Sequence, residues 1–138
     1  MSAKDFIHDA VKNALIKDGW TITSDPFTMR YEDATVFADL AAEHPIGAEK
    51  SGTKIVVEVK SFTGPSPMQD LKLALGQYQM YYPLLAKVAP DHKLYLAVSD
   101  TAYSQVFRRK SVQVIIEWSH PPLLVVDVLT EEIAQWIN

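Results

Sequence analysis

Residues 54–100 constrain the fold more than any other part of the chain. "KIVVEVKSF" and "KLYLAVSD" are β-branched, apolar runs of strand length, and "SPMQD" opens a long helical pattern between them. Ser66 suits the N-cap, Pro67 the first helical position, and Gln69 completes a capping box. Pro83 falls inside the pattern, so a kink or break is expected near it, because its ring removes a backbone bond. Strand, helix and strand form a βαβ unit, whose right-handed crossover makes the two strands parallel. Runs this apolar belong inside a sheet. Yet the first carries Glu58 and Lys60, two residues apart and therefore on one face.

The remaining segments can be arranged around that unit. Ser2 to Asp18 has helical spacing, with Ile7, Val11, Ala14 and Leu15 on one stripe and Gly19 as the stop. "WTITS" is a short strand ended by Asp25-Pro26. "TVFADLAAE" and "TKIVVEVKS" are separated by the loop "HPIGAEKSG" and read as an antiparallel pair. "TAYSQVF" reads as a short helix, and "VQVIIEW" and "LLVVDVL" as strands around the turn "SHPP". Thr130 then caps a final helix with Glu131 and Glu132 in its first turn. The expected architecture is α/β: one domain over residues 1–138, with a mixed β-sheet flanked by helices.

Composition narrows the chemistry. The chain has no cysteine, which excludes disulfides, thiolate metal sites and cysteine nucleophiles. No apolar run approaches the ~20 residues of a membrane span, and "MSAKDFIHDA" lacks a signal-peptide core, so a cytoplasmic protein with no membrane role is expected. The net charge is −4, whereas a protein that holds DNA alone usually shows a basic face. "FRRK", with Arg108 to Lys110, is the one basic run, and a solvated helix end explains it better than a DNA contact. Weak DNA binding alone is the expectation, with affinity gained through self-association or a partner.

The hairpin supplies a candidate site. With its loop centred near residues 48 and 49, a symmetric register puts Glu43 opposite Lys54, Asp39 opposite Glu58, and Phe37 opposite Lys60. Two facing carboxylates should destabilise a sheet. They persist most easily around a divalent cation, and Mg²⁺ is typically held by one or two carboxylates with waters and phosphate oxygens. Lys60 could orient or deprotonate an attacking water. Gln77 lies on the following helix, with Tyr81 four residues on and so on the same face. It borders an apolar stripe and needs a partner, which Asp39 or Glu58 could supply. A plain Glu58–Lys60 ion pair on a solvated face fits the same spacing.

Together these residues resemble the PD-(D/E)xK nuclease superfamily, which implies a restriction-endonuclease-like α-β-β-β-α-β core. "FADLA" supplies the first acid as Asp39, "VEVKS" the Glu-x-Lys as Glu58 and Lys60, and "GQYQMY" the Gln-x-x-x-Tyr helix as Gln77 and Tyr81. The resemblance implies a catalytic set of Asp39, Glu58, Lys60 and Gln77, with Asp39 and Glu58 holding Mg²⁺ or Mn²⁺. More narrowly, "KDFIHDAVKNALIKDGW", "EVKSF", "ALGQYQMYY" and "LYLAV" resemble the fdxN-element excision controlling factors, the XisH family. That resemblance implies programmed excision of a DNA element in cyanobacteria beside a small partner protein, XisI. It implies no demonstrated catalysis, and a non-catalytic accessory protein that binds DNA or a partner is the alternative.

Many nucleases of the superfamily place a Glu on the first helix, where this chain has His8 and Asp9. His8 could be a ligand or proton carrier, or a packed and hydrogen-bonded residue. His44, His92 and His120 have no metal-binding spacing. Trp20, Trp118 and Trp136 read as core or interface anchors.

Overall fold

The computed structural model describes residues 3–44 and 52–138. The expected loop "HPIGAEKSG" lies, apart from its ends, outside them. The elements run α1 (Ala3–Lys17), β1 (Thr21–Ser24), β2 (Phe27–Tyr31), β3 (Ala34–Ala38), β4 (Leu40–His44) and β5 (Thr53–Val59). They continue with α2 (Pro67–Val88), β6 (His92–Ser99), α3 (Asp100–Ala102), a π-helical turn (Tyr103–Phe107), α4 (Lys110–Ser119), β7 (Leu123–Asp127) and β8 (Glu132–Ile137). Six strands form one sheet in the order β1-β4-β5-β6-β7-β8, while β2 and β3 pair only with each other. β5, β6 and β7 are mutually parallel, and the outer pairings are antiparallel. The sheet is therefore mixed, with helices on both faces.

The βαβ expectation holds for the helix cap and for the strand direction. Ser66 accepts the Gln69 N–H at 3.2 Å, Pro67 begins α2, and β5 and β6 are parallel. α2 runs through Pro83 as one helix. Pro83 is exposed, so the helix needs no break to keep its buried side packed. Gly76 is also exposed in the helix interior, and an added Cβ would meet nothing within 4 Å. Gly76→Ala should therefore stabilise the protein by about 1 kcal/mol, seen as a melting temperature roughly 3–5 °C higher.

α1 ends in a reciprocal turn: Trp20 N donates to Leu15 O at 2.9 Å and Gly19 N to Ile16 O at 3.0 Å. Gly19 has φ +95°, and a Cβ there would sit 2.9 Å from His44 Nε2. Only glycine meets both demands. α1 covers one sheet face, where Ile7, Val11 and Leu15 pack on Leu40, Ile55, Val57 and Leu124. α2, α3, the π turn and α4 lie on the other, around Leu71, Val98, Val106 and Phe107, with Tyr81 and Leu85 over Val56 and Met29.

Two expected elements change type. "VQVIIEW" belongs to helix α4, in which Val112 is buried and Ile115 and Ile116 pack beside it at helical spacing. The C-terminal helix is instead strand β8, antiparallel to β7. Asp127 Oδ1 accepts the N–H groups of Leu129 and Thr130, and Glu131 adopts φ 56°, so the chain folds back as an edge strand. Trp136 then packs on Trp20 and Tyr95, with ring centroids 5.6 and 5.0 Å away. Trp118, by contrast, is 88% exposed and anchors no core.

Candidate functional site

"TVFADLAAE" is not one strand. It breaks at Asp39, where the chain leaves the β2–β3 ribbon and enters the main sheet as β4. The expected register holds on the β4 side, with Glu43 opposite Lys54 and Leu40 opposite Val57, which brings Asp39 beside Glu58. It fails for Phe37, which pairs with Thr28 on β2 rather than facing Lys60.

The break leaves backbone groups to satisfy. Lys60 N donates toward β6, to Ala97 O at 2.8 Å, so the preceding N–H, that of Val59, points toward the β4 side. No strand residue meets it there, and Asp39 Oδ2 accepts it at 2.7 Å. In return, Asp39 N donates to Glu58 Oε1 at 3.2 Å. The two carboxylates replace ladder bonds that the departing strand cannot make. The expected repulsion between facing carboxylates is thus offset by a reciprocal pair of charge-assisted bonds.

Glu58 is only 3% exposed, and its Oε2 lies 3.1 Å from Lys60 Nζ. Lys60 Nζ also donates to Gln77 Oε1. Gln77 Nε2 donates to Tyr81 OH at 2.8 Å, and Tyr81 OH donates to Phe37 O at 3.0 Å. A hydrogen-bonded chain thus links Glu58, Lys60, Gln77 and Tyr81 to the end of β3. The partner of the Gln77 amide is Lys60 rather than a carboxylate.

His8 faces this cluster from α1. Its Nδ1 is 3.8 Å from Asp39 Oδ1, and its Nε2 is 3.2 Å from Asp25 Oδ1. Asp25 also accepts Lys12 Nζ at 2.9 Å. Partial burial raises the Asp25 pKa, but the bonds and charges of Lys12 and His8 outweigh it, and the net shift is downward from 3.8. A depressed folded pKa gives stability that is present above 3.8 and lost as pH falls through the lower folded value. The melting temperatures of wild type and Asp25→Asn should therefore converge as pH falls from about 5 to about 2. A gap that persists across that range would remove the proposed ion pairing. Asp25 and Lys12 were not singled out from sequence, and nothing near them in the chain signals a site.

The basic run lies elsewhere. Arg108 sits 5.8 Å from the Tyr103 ring centre, and Arg109 Nε donates to Gln105 O at 3.0 Å. Among the described residues, no group of three or more His, Asp or Glu side chains is placed to hold a metal. His44 instead bonds the Asp18 carbonyl at 3.0 Å, and His92 bonds Asp91 at 2.9 Å. No helix among the described residues is long and apolar enough to cross a membrane.

Residues 1–134 match the family model described as XisH protein. The chain belongs to the XisH family. Two solved structures agree with that membership over nearly the whole chain. A crystal structure of an XisH family protein from Nostoc punctiforme PCC 73102 is 39% identical, with a TM-score of 0.88, covering 97% of this chain and all of that one. A crystal structure of an fdxN element excision controlling factor protein from Anabaena variabilis is 43% identical, with a TM-score of 0.86, covering 97% of this chain and 99% of that one. No curated protein matches the chain. In this XisH family chain the polar cluster lies at the C-terminal end of β5.

Proposed function

We propose that this XisH family chain is a DNA-excision controlling factor with a divalent-metal-dependent, endonuclease-type site, working with a small partner protein of the XisI type. The observation that carries the reading is the single hydrogen-bonded cluster joining Asp39, Glu58, Lys60 and Gln77. With the β2–β3 ribbon set aside, the elements run α1, β1, β4, β5, α2, β6. That order supports a restriction-endonuclease-like core.

Asp39 and Glu58 would hold Mg²⁺ or Mn²⁺. Asp39 uses one oxygen to accept a backbone N–H, and Glu58 uses one for a backbone N–H while the other faces Lys60 Nζ. Their hard oxygen donors suit these ions, and a two-carboxylate site completed by water and substrate phosphate needs no larger protein cage. Such an ion lowers the pKa of bound water and offsets charge on a phosphate. Lys60 is held by Glu58 and Gln77 where it can orient a water or neutralise a developing charge. Gln77 positions Lys60, and Tyr81 fixes the Gln77 amide against the Phe37 carbonyl.

The second reading, an accessory protein that uses this fold to bind DNA or a partner, is favoured by the closure of the network. Lys60 is bonded to both Glu58 and Gln77, as a purely structural latch would be. Cleavage of duplex, branched and single-stranded DNA in Mg²⁺ or Mn²⁺, with and without the XisI-type partner, separates the two. Metal-dependent cleavage that Glu58→Gln abolishes supports the enzyme. The absence of cleavage under every condition, with no Mn²⁺-dependent rise in melting temperature, leaves the accessory role.

A further inference from the structure

The β2–β3 ribbon stands apart from the main sheet, yet both its ends are rooted in the candidate site. Asp25, two residues before β2, contacts His8 and Lys12, and Asp39 directly follows β3. The Phe37 carbonyl is tied to the site through Tyr81 and Gln77. One ribbon face is committed: Met29 and Ala38 are buried against α2, with Phe27 and Val36 packed beside them. The opposite face holds Thr28 paired with Phe37 and Arg30 paired with Thr35, and all four are exposed.

That free face has an unusual composition for a solvated surface. Phe37 is 56% exposed beside two threonines and an arginine. Arg30 has no ion-pair partner among the described residues, and none of the three residues grouped with it on this face is a carboxylate. Arg108 and Arg109 are engaged with Tyr103 and Gln105, whereas Arg30 has no such side-chain contact among the described residues. The ribbon tip carries Glu32 and Asp33, which phosphates would repel, so an approach tip-first into a groove is disfavoured. A flat approach presents the cation and the apolar ring while keeping the acids at the margin.

Resting on the reading of the site as DNA-directed, we propose that the exposed Thr28/Arg30/Thr35/Phe37 face of the ribbon is the surface that receives duplex DNA and sets its position over Asp39 and Glu58. Arg30 contacts a phosphate, the threonine hydroxyls contact the backbone, and Phe37 makes an apolar contact with sugar or a thymine methyl. Thr35 precedes Asp39 by four residues, roughly 13 Å at ~3.3 Å per residue. Along duplex DNA this is about four base-pair steps at ~3.4 Å each. Arg30 would thus grip the backbone within half a helical turn of the carboxylates.

The test is fluorescence anisotropy of a labelled duplex with the full chain, titrated with salt from ~50 mM upward in the presence of Mg²⁺. Arg30→Ala should weaken binding by about tenfold and lower the slope of log affinity against log salt by about one, the loss of a single phosphate contact. Phe37→Ala should weaken binding severalfold and leave the slope unchanged, because it removes no charge. Melting temperatures of both variants should match wild type, since neither side chain packs in the core. Wild-type affinity and slope in both variants would overturn the proposal, as would lost binding of a protein partner with intact DNA binding. A wild-type chain that binds no duplex even at the lowest salt, alone or with the XisI-type partner, would instead remove the functional reading beneath it.

Discussion

Replacing Lys60 with methionine should cost about 3–5 kcal/mol of stability at neutral pH, several times the worth of an exposed ion pair. Methionine keeps the length and apolar stem of the lysine, so little cavity is created. The ammonium that faces Glu58 Oε2 at 3.1 Å is lost, however, and Glu58 is 3% exposed. A buried carboxylate then keeps the Asp39 N–H but loses its counter-charge, and the Gln77 carbonyl loses its donor. Lys60 is itself partly exposed, which places the expected cost toward the lower end of that range. Denaturant unfolding measures the effect. A loss under ~1 kcal/mol would show that Glu58 is satisfied without Lys60. If the chain cleaves DNA, the same variant should slow cleavage by about 10²–10⁴-fold, the usual loss for a positioned proton-transfer group.

Glu58→Gln and Asp39→Asn should each destabilise the protein by about 1–2 kcal/mol, and, if the chain cleaves DNA, each should abolish metal-dependent cleavage. On sequence alone, facing carboxylates suggest the opposite sign, because removing one charge would relieve repulsion. The geometry reverses it: each carboxylate accepts a backbone N–H, and an amide weakens a charge-assisted bond to an ordinary one. The two losses belong to one reciprocal arrangement, so the double variant should lose less than their sum. Either single variant melting above wild type would restore repulsion as the dominant effect. Any rise in melting temperature that Mn²⁺ gives the wild type should vanish in both.

Much of the site was legible because strand periodicity and helix capping are local. Glu58, Lys60, Gln77 and Tyr81 belong to the βαβ unit, whose caps and apolar runs lie within a continuous stretch, and the hairpin register from Glu43 to Leu40 followed from pairing across one loop. Non-local consequences were missed. No glycine or proline marks Asp39 as a break, so the extended run reads through from β3 into β4. The β2–β3 ribbon turns at Tyr31-Glu32-Asp33-Ala34 with Glu32 at φ 51°, a conformation that the sequence does not advertise with glycine. Val112 to Ser119 is rich in β-branched residues but forms a helix, because burial at helical spacing outweighs weak local preference. Glu, Ala and Gln favour helix in the last segment, yet the open edge of β7 and the packing of Trp136 draw it into the sheet.

The exchange of bonds between Asp39 and Glu58 also bears on how such a motif is inherited. Val59 N–H and Asp39 N–H depend on these carboxylates whether or not any phosphodiester is ever cut. Mutations that erase the acids are therefore screened out by defective folding before they can be tested by lost chemistry. A lineage that abandoned catalysis would still transmit the Asp and Glu-x-Lys signature to its descendants. In this chain the two acids therefore answer a demand of the fold as well as any demand of chemistry, and a variant that separates the two must be sought at a position the fold can spare.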